Sequence, residues 1–235
     1  MLLASLRGPA ERFFVRPVYH RSVTYAHDER LALAALLSET GPDAPTLCAG
    51  WQTRDLAAHV VLRERRPDAG TGMIGGPLAG YTERLQRRYL KRYSYAELIE
   101  MFAAGPPRLS PFAIGGVDEA ANTVEYFVHH EDVRRAAEGW AARDLPAGQA
   151  DALWQRLKGS RLFLRSAPTG IVFARTDLTS TDGAAPIVAK NMAPSVTVTG
   201  TPAELTLWST GRVTVARVEL TGPDDDVARL SAWRR

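Results

Sequence analysis

The helix that decides the fold lies in the stretch VDEAANTVEYFVHHED, which spans residues 117–132. Its apolar residues recur every three or four positions and predict a helix capped by Asp118, running to about Glu138. Beside them a polar stripe recurs at the same helical spacing: Asp118, Asn122, Glu125, His129 and Asp132. A polar stripe next to a core stripe lies at a seam between helices or at the mouth of an interhelical pocket, which is where helix bundles build metal sites.

The sequence on the N-terminal side of this stretch predicts three more helices. Leu- and Ala-rich residues favour a helix over 26–37, and apolar residues on one side favour another over 56–66. Ser94 and Glu97 form a capping-box pattern that opens a third. Four helices with one longer connection indicate an antiparallel four-helix bundle. The basic residues of that connection, Arg84 to Arg92, are expected to form the solvated face of a short helix.

After Trp140 the pattern changes to short β-rich runs interspersed with helices, which predicts an α+β region. The predicted strands are 161–165, 170–176, 195–199 and 214–220, and the predicted helices are 145–157, 201–208 and 224–233. The sequence is therefore a multi-domain α and α+β chain. Its predicted divisions are a flexible basic arm (1–22), a helical bundle (23–142) and an α+β domain (143–235).

Composition excludes several classes of protein. Of 235 residues, 45% are hydrophobic and 23% are charged, which excludes intrinsic disorder, and no apolar run approaches the length of a membrane span. The net charge of +3 comes from residues 1–22, with four arginines against one glutamate, so the body lacks the broad basic face of a nucleic-acid-binding protein. The same asymmetry suggests that translation starts near Val23. A single cysteine, Cys48, forms no intrachain disulfide and indicates a cytoplasmic protein.

Glu125 and His129, one helical turn apart, can offer a carboxylate oxygen and an imidazole nitrogen to the same cation. His59, in the middle of the second predicted helix, is the candidate third ligand. Two histidines and one carboxylate form a three-ligand site with open coordination positions, which is typical of a working metal centre. Spacing alone leaves the alternative open that Glu125 and His129 form an intrahelical ion pair and that His59 is a core histidine.

The N-terminal half resembles a known family through three segments: YAHDERL (25–31), LCAGWQTRDLAAHV (47–60) and EYFVHHED (125–132). They are similar to the mycothiol-dependent maleylpyruvate isomerase family, which belongs to the DinB-like metal-binding bundles. The resemblance implies that His59, Glu125 and His129 are metal ligands, that the metal is Zn²⁺ or another divalent ion, and that mycothiol is the thiol cofactor.

The C-terminal half resembles the same family through VTGTPAELTLWSTGR (198–212) and VELTGPD (218–224). The resemblance implies a small sterol-carrier-protein-like (SCP2-like) α+β domain behind the bundle. The run RERRPD (63–68) is most similar to a mainly actinobacterial subgroup of metal-binding proteins whose reaction is unassigned.

The implied function is that of a mycothiol-dependent isomerase or thiol S-transferase in which the metal activates a thiolate. Its partners would be the thiol and an electrophilic or unsaturated-acid substrate, without nucleic acid or membrane, on a monomer or homodimer. The predicted catalytic residues are Arg63, Asn122 and Asp132, and Arg212 is predicted to bind the cofactor. The alternatives are a surface salt bridge with an acidic neighbour for Arg63, a charge interaction with the C-terminal end of a helix for Arg212, and a helix-surface role for Asp132. The alternative functions are a non-catalytic metal- or lipid-binding protein and a metal-assisted hydrolase.

Overall fold

The structure is a computed structural model that describes residues 24–66, 68, 79–114, 116–178 and 185–233. The predicted basic arm, residues 1–22, lies outside the described residues. Residues 69–78, the first part of the long connection between the second and third predicted helices, also lie outside the described residues.

The N-terminal part is mostly helical. Its helices are α1 (Tyr25–Thr40), α2 (Thr53–Arg65), α3 (Ala79–Arg92), α4 (Tyr95–Ala103) and α5 (Val117–Arg134). The basic residues of the connection thus lie on α3, a helix of 14 residues that is longer than expected. Its Leu85 packs on Leu62 of α2, so one side of α3 belongs to the core while its arginines remain exposed.

Local capping signals explain where these helices begin. Ser94 accepts a hydrogen bond from the backbone of Glu97, whose side chain accepts one in return, as the capping-box pattern predicts. The predicted Asp118 cap is wrong by two positions, because α5 begins at Val117 and its N-cap is Gly116. Asp118 instead lies in the first turn, where its carboxylate binds Arg30 of α1. The helix also ends four residues before Glu138, at Arg134.

Helix α1 packs on α5 and α4, and α2 packs on α3 and α4. Their apolar stripes form one buried cluster that includes Leu33, Leu56 and Phe102. The ring of Phe102 meets the ring of Tyr126 edge to face, with centroids 5.2 Å apart. Leu56 of α2 and Tyr126 of α5 both belong to this core.

The C-terminal part contains a mixed four-stranded sheet with strand order β2-β1-β3-β4. Its strands are β1 (Gly170–Arg175), β2 (Ile187–Lys190), β3 (Ser195–Gly200) and β4 (Glu219–Thr221). The helices are α6 (Ala147–Arg156), α7 (Arg161–Leu164), α8 (Pro202–Ser209) and α9 (Asp224–Ala232). Strand β1 pairs in parallel with β3 and antiparallel with β2, while β3 and β4 are antiparallel. The α and α+β character predicted from the sequence is confirmed.

Two of the predicted strands are wrong in detail, and β2 was not predicted. Residues 161–164 form helix α7, because a run of three apolar residues between two arginines has no periodicity that separates helix from strand, and here only Leu164 is buried. The run 214–220 keeps only its end as strand. Before that end the backbone N–H of Arg217 donates to the side chain of Glu204 at 2.8 Å instead of to a neighbouring strand.

The two parts meet through a separate apolar cluster formed by Phe127 and Val128 of α5, Leu153 of α6, and Ala203 and Leu207 of α8. Helix α5 therefore packs on α1 with one face and on the C-terminal part with another. Among the described residues, no helix is both long enough and apolar enough to cross a bilayer.

Candidate metal centre

The three predicted ligands lie together between α2 and α5. Oε1 of Glu125 lies 3.2 Å from Nε2 of His59 and 3.3 Å from Nε2 of His129. One donor atom from each residue lies within 4.8 Å of the other two. The structure thus brings together side chains that are 66 positions apart in the sequence.

The donor atoms fit a divalent ion. In a tetrahedral centre with bonds of about 2.0–2.1 Å, neighbouring ligand atoms lie roughly 3.3 Å apart, which is the spacing of Glu125 Oε1 from both imidazole nitrogens. The two imidazoles are nearly buried, whereas the side chain of Glu125 is 27% exposed. One side of the cluster is therefore open to an exogenous ligand. Imidazole and carboxylate donors accept several divalent metals, so the set does not select one.

His59 and Glu125 favour the protonation state that metal binding requires, whereas His129 favours the protonated one. Burial lowers the pKa of His59, despite the opposing hydrogen bond to Glu125, and favours the neutral imidazole that a metal requires. Burial alone would raise the pKa of Glu125, but the hydrogen bonds with His129 and His59 hold it well below its usual range. Burial opposes the charged form of His129, yet Asp132 and Glu125 raise its pKa well above the usual value.

Local sequence explains how the ligands are aimed. His59 lies on a turn of α2 whose neighbours Ala58 and Val60 are buried, and the ring of Trp51 stands 5.0 Å from its imidazole. Glu125 and His129 are one turn apart on α5, so their side chains share a face. The two imidazole rings approach edge to face, with centroids 5.0 Å apart.

The second ring nitrogen of His129 is held by Asp132. Nδ1 of His129 lies 2.9 Å from Oδ2 of Asp132, which is completely buried. Both oxygens of Asp132 also accept hydrogen bonds from Arg212, from Nε at 2.8 Å and from Nη2 at 2.6 Å. Asp132 is therefore buried beside His129 and does not lie on the helix surface, and Arg212 reaches it from the C-terminal part of the chain.

Cys48 completes a second cluster of metal-ligand types with His129 and Asp132. Its Sγ lies 3.2 Å from Oδ2 of Asp132 and 3.9 Å from Nδ1 of His129. The guanidinium of Arg212 already neutralises this carboxylate and lies 3.7 Å from the sulfur. Because a cation from the protein occupies this position, the cluster with His59 and Glu125 is the better metal site of the two.

The other two predicted catalytic residues contact each other. Nε of Arg63 donates to Oδ1 of Asn122 at 3.1 Å, and its Nη2 donates to the carbonyl of Ala121. Nε of Arg63 also lies 3.7 Å from Oε1 of Glu125, so its charge faces the ligand carboxylate. Asn122 is completely buried and donates to Asp118 at 2.7 Å. Their roles in catalysis stay predictions.

A buried charged network behind the site was not predicted. Nδ1 of His130 lies 2.8 Å from Oε2 of Glu29, and Glu29 also accepts from Arg143 and Gln149. A signal was available, because Glu29 and Arg30 fall within the helical stripe of α1 that contains Ala26 and Leu33. Charged residues on such a stripe need buried partners.

A cavity of about 330 Å³ opens beside Arg212, on the side of Asp132 that carries Cys48. Its walls come from both parts of the chain: Leu47, Cys48, Ala49, Thr210, Gly211, Arg212, Thr214 and Val215. Hydroxyl, thiol and guanidinium groups line it, so the cavity suits a polar molecule better than a lipid chain.

Comparison with known proteins gives one match. Residues 23–114 match the family model of the mycothiol maleylpyruvate isomerase N-terminal domain, which confirms the predicted family for this part of the chain. The match includes His59 and ends before Glu125 and His129. No similar curated protein and no similar solved structure was found.

Proposed function

Because residues 23–114 belong with the mycothiol maleylpyruvate isomerase N-terminal domains, we propose that the chain binds a divalent metal and acts as a mycothiol-dependent isomerase or thiol S-transferase. The observation that carries the proposal is the meeting of His59, Glu125 and His129 around one point. These residues would hold Zn²⁺ or another divalent ion. A cation bound there stabilises a thiolate relative to the neutral thiol and so supplies a nucleophile at neutral pH.

The surrounding residues would orient the ligands and the substrate. Asp132 fixes the ring of His129 through Nδ1, which leaves Nε2 directed at the metal position. Arg63 is one-fifth exposed and faces the open side of Glu125, where its guanidinium would meet the carboxylate of an unsaturated-acid substrate. Asn122 would hold Arg63 in that position. The polar cavity at Arg212 is the proposed place of the thiol cofactor.

The finer fold assignment belongs to the same proposal. We propose that α1, α2, α4 and α5 correspond to a DinB-like four-helix bundle, supported by their shared core and by the site at its seam. The sheet with α8 and α9 would correspond to the SCP2-like domain. A cytoplasmic location agrees with the single cysteine, which has no partner in the chain for a disulfide.

Metal content tests the first half of the proposal. Purified protein should carry one equivalent of zinc or another divalent metal after loading, measured by elemental analysis. His59→Ala and Glu125→Ala should lose it, because two remaining ligands hold a divalent ion poorly. His27→Ala is the matched control, since His27 lies on α1 outside the cluster. Unchanged metal content in the first two variants would remove the site.

Thiol dependence tests the second half. Metal-loaded protein is incubated with mycothiol and a panel of electrophiles and unsaturated acids, and turnover is followed with and without the thiol. The proposal expects turnover only when thiol is present. Turnover without thiol would indicate hydrolysis by an activated water. Metal binding without any turnover would leave a non-catalytic binding protein.

A further inference from the structure

The contact between Arg212 and Asp132 joins the two parts of the chain at the candidate metal centre. Arg212 follows α8, and it approaches the C-terminal end of α5 from outside the helical part. Its two hydrogen bonds to Asp132 form a bidentate pair, which sets orientation as well as charge. The carboxylate it holds is the one that contacts His129.

The position of the guanidinium is determined by the turn after α8. Gly211 has φ +94°, a conformation that side-chain-bearing residues rarely adopt, and the next backbone N–H, that of Arg212, donates to the carbonyl of Leu207 at 2.9 Å. Nη1 of Arg212 donates to the carbonyl of Thr210 at 2.7 Å. The side chain is thus held at both ends, and little of its freedom remains to be lost when it contacts Asp132.

A second contact holds the same region of α5. Arg135, one turn beyond Asp132, binds Glu204 of α8 through Nη2 at 2.7 Å and the carbonyl of Val215 through Nη1 at 2.8 Å. The segment from α8 to Val215 therefore contacts the C-terminal end of α5 at Asp132 and the residue that follows the helix, Arg135. The contact of Arg212 leads through Asp132 to the candidate ligand His129, whereas the contact of Arg135 with Glu204 leads to no candidate ligand.

We propose that Arg212 is a positioning residue of the metal centre: through Asp132 it fixes the ring of His129, so that the C-terminal part completes a site whose three ligands all lie in the helical part. The inference rests on the proposed function, since it concerns the same three ligands. By thermodynamic linkage, a metal that prefers the oriented ring also stabilises the seating of residues 204–215 on α5.

Replacing Arg212 should change the metal affinity in opposite directions, depending on whether its charge or its hold on Asp132 dominates. The charge of a guanidinium repels a nearby cation, so its removal should tighten metal binding if charge alone matters. Loss of a group that orients a ligand weakens metal binding by about 10- to 100-fold. The sign of the change therefore separates the two explanations.

The test measures Zn²⁺ affinity of the full chain by competition with a chromophoric chelator. Arg212→Met should weaken the affinity about 10- to 100-fold, and Arg212→Lys, which keeps the charge but not the bidentate geometry, should give an intermediate loss. Arg156→Met is the matched control. Arg156 also reaches from the C-terminal part to α5, where it donates to the carbonyl of Glu119 at 2.7 Å, far from His129. Its replacement should leave zinc affinity unchanged within about twofold, inside the usual spread of such measurements.

Hydrogen exchange supplies a readout that does not depend on activity or affinity. Adding Zn²⁺ to the wild-type chain should slow amide exchange in residues 204–215, and Arg212→Met should abolish that protection. Equal or tighter zinc binding by folded Arg212→Met, or zinc protection retained in that variant, would overturn the inference and leave the proposed function standing. A wild-type chain that binds no zinc would overturn both. If Arg212→Met does not fold, Arg212→Lys decides by the same two measurements.

Discussion

Removing one partner of the buried ion pair between Arg135 and Glu204 should destabilise the chain far more than the same change in an exposed pair. Glu204 accepts from Nη1 and Nη2 of Arg135 at 3.0 and 2.7 Å, and both side chains are almost completely buried. Removing one partner of such a pair costs about 3–5 kcal/mol when the other charge is left alone. Glu131 still accepts from Nε of Arg135 at 2.6 Å, and a glutamine keeps one carbonyl acceptor. We therefore expect Glu204→Gln to lower the free energy of unfolding by about 2–4 kcal/mol.

The matched control is the same substitution in an exposed pair. Glu83 lies 3.3 Å from Arg87 one turn along α3, and more than half of each side chain is exposed. Such a pair contributes about 0.3–0.5 kcal/mol, so Glu83→Gln should be nearly neutral. Urea unfolding followed by circular dichroism measures both variants. If Glu204→Gln costs less than about 1 kcal/mol, or no more than the control, burial does not raise the cost of breaking this pair as argued.

Three further predictions concern titration and backbone packing. Burial alone would raise the pKa of Glu29, but the hydrogen bond with His130 and the charge of Arg143 lower it to about 2. Its contribution, on the order of 3 kcal/mol, is present above the unfolded pKa of roughly 4.5 and is lost as the pH falls toward 2. Glu29→Gln should therefore flatten the acid limb of the stability curve, and an unchanged limb would contradict this assignment. Because the pKa of His129 is raised well above its usual value, zinc binding near pH 7 should release about one proton. Calorimetry in two buffers with different ionisation enthalpies measures that release, and equal binding heats in the two buffers would refute the prediction. Gly170→Ala should cost at least about 1–3 kcal/mol in urea unfolding, since a Cβ would lie 1.9 Å from a backbone oxygen, whereas Gly159→Ala, with open space around it, should be neutral.

The features predicted correctly from the sequence are those with local causes. The capping box at Ser94 and Glu97 involves groups three residues apart, so its pattern is complete within one helical turn. The helix over Pro202–Ser209 also begins with a local signal, because the side chain of Thr201 accepts a hydrogen bond from the backbone of Glu204 three residues later. The strand predicted over 161–165 is wrong because its three apolar residues fit a strand and a helical turn equally well, and the choice depends on what the run packs against.

The candidate site divides in the same way. One helical turn between Glu125 and His129 is a property of α5 alone, so the sequence could pair these two residues. The approach of His59 was inferred from its central place in a helix and from the family resemblance, and the structure brings it to 3.2 Å from Glu125. The bond from Arg212 to Asp132 joins residues 80 positions apart and has no periodic signal.

The sequence by itself determined most of the helices, the α+β character of the C-terminal part, the polar stripe on α5 and the residue types available for a metal. These depend on spacing along one chain segment, which repeats every 3.6 residues in a helix and every two in a strand. Only the tertiary structure decided which charges are buried together, because a buried ion pair needs a partner within a few ångströms while the chain sets no limit on their separation in sequence. The links from Glu29 to Arg143 and from Asp132 to Arg212 exist because packing α5 between the two parts removes both carboxylates from water, so that each must be compensated by a nearby cation of the protein.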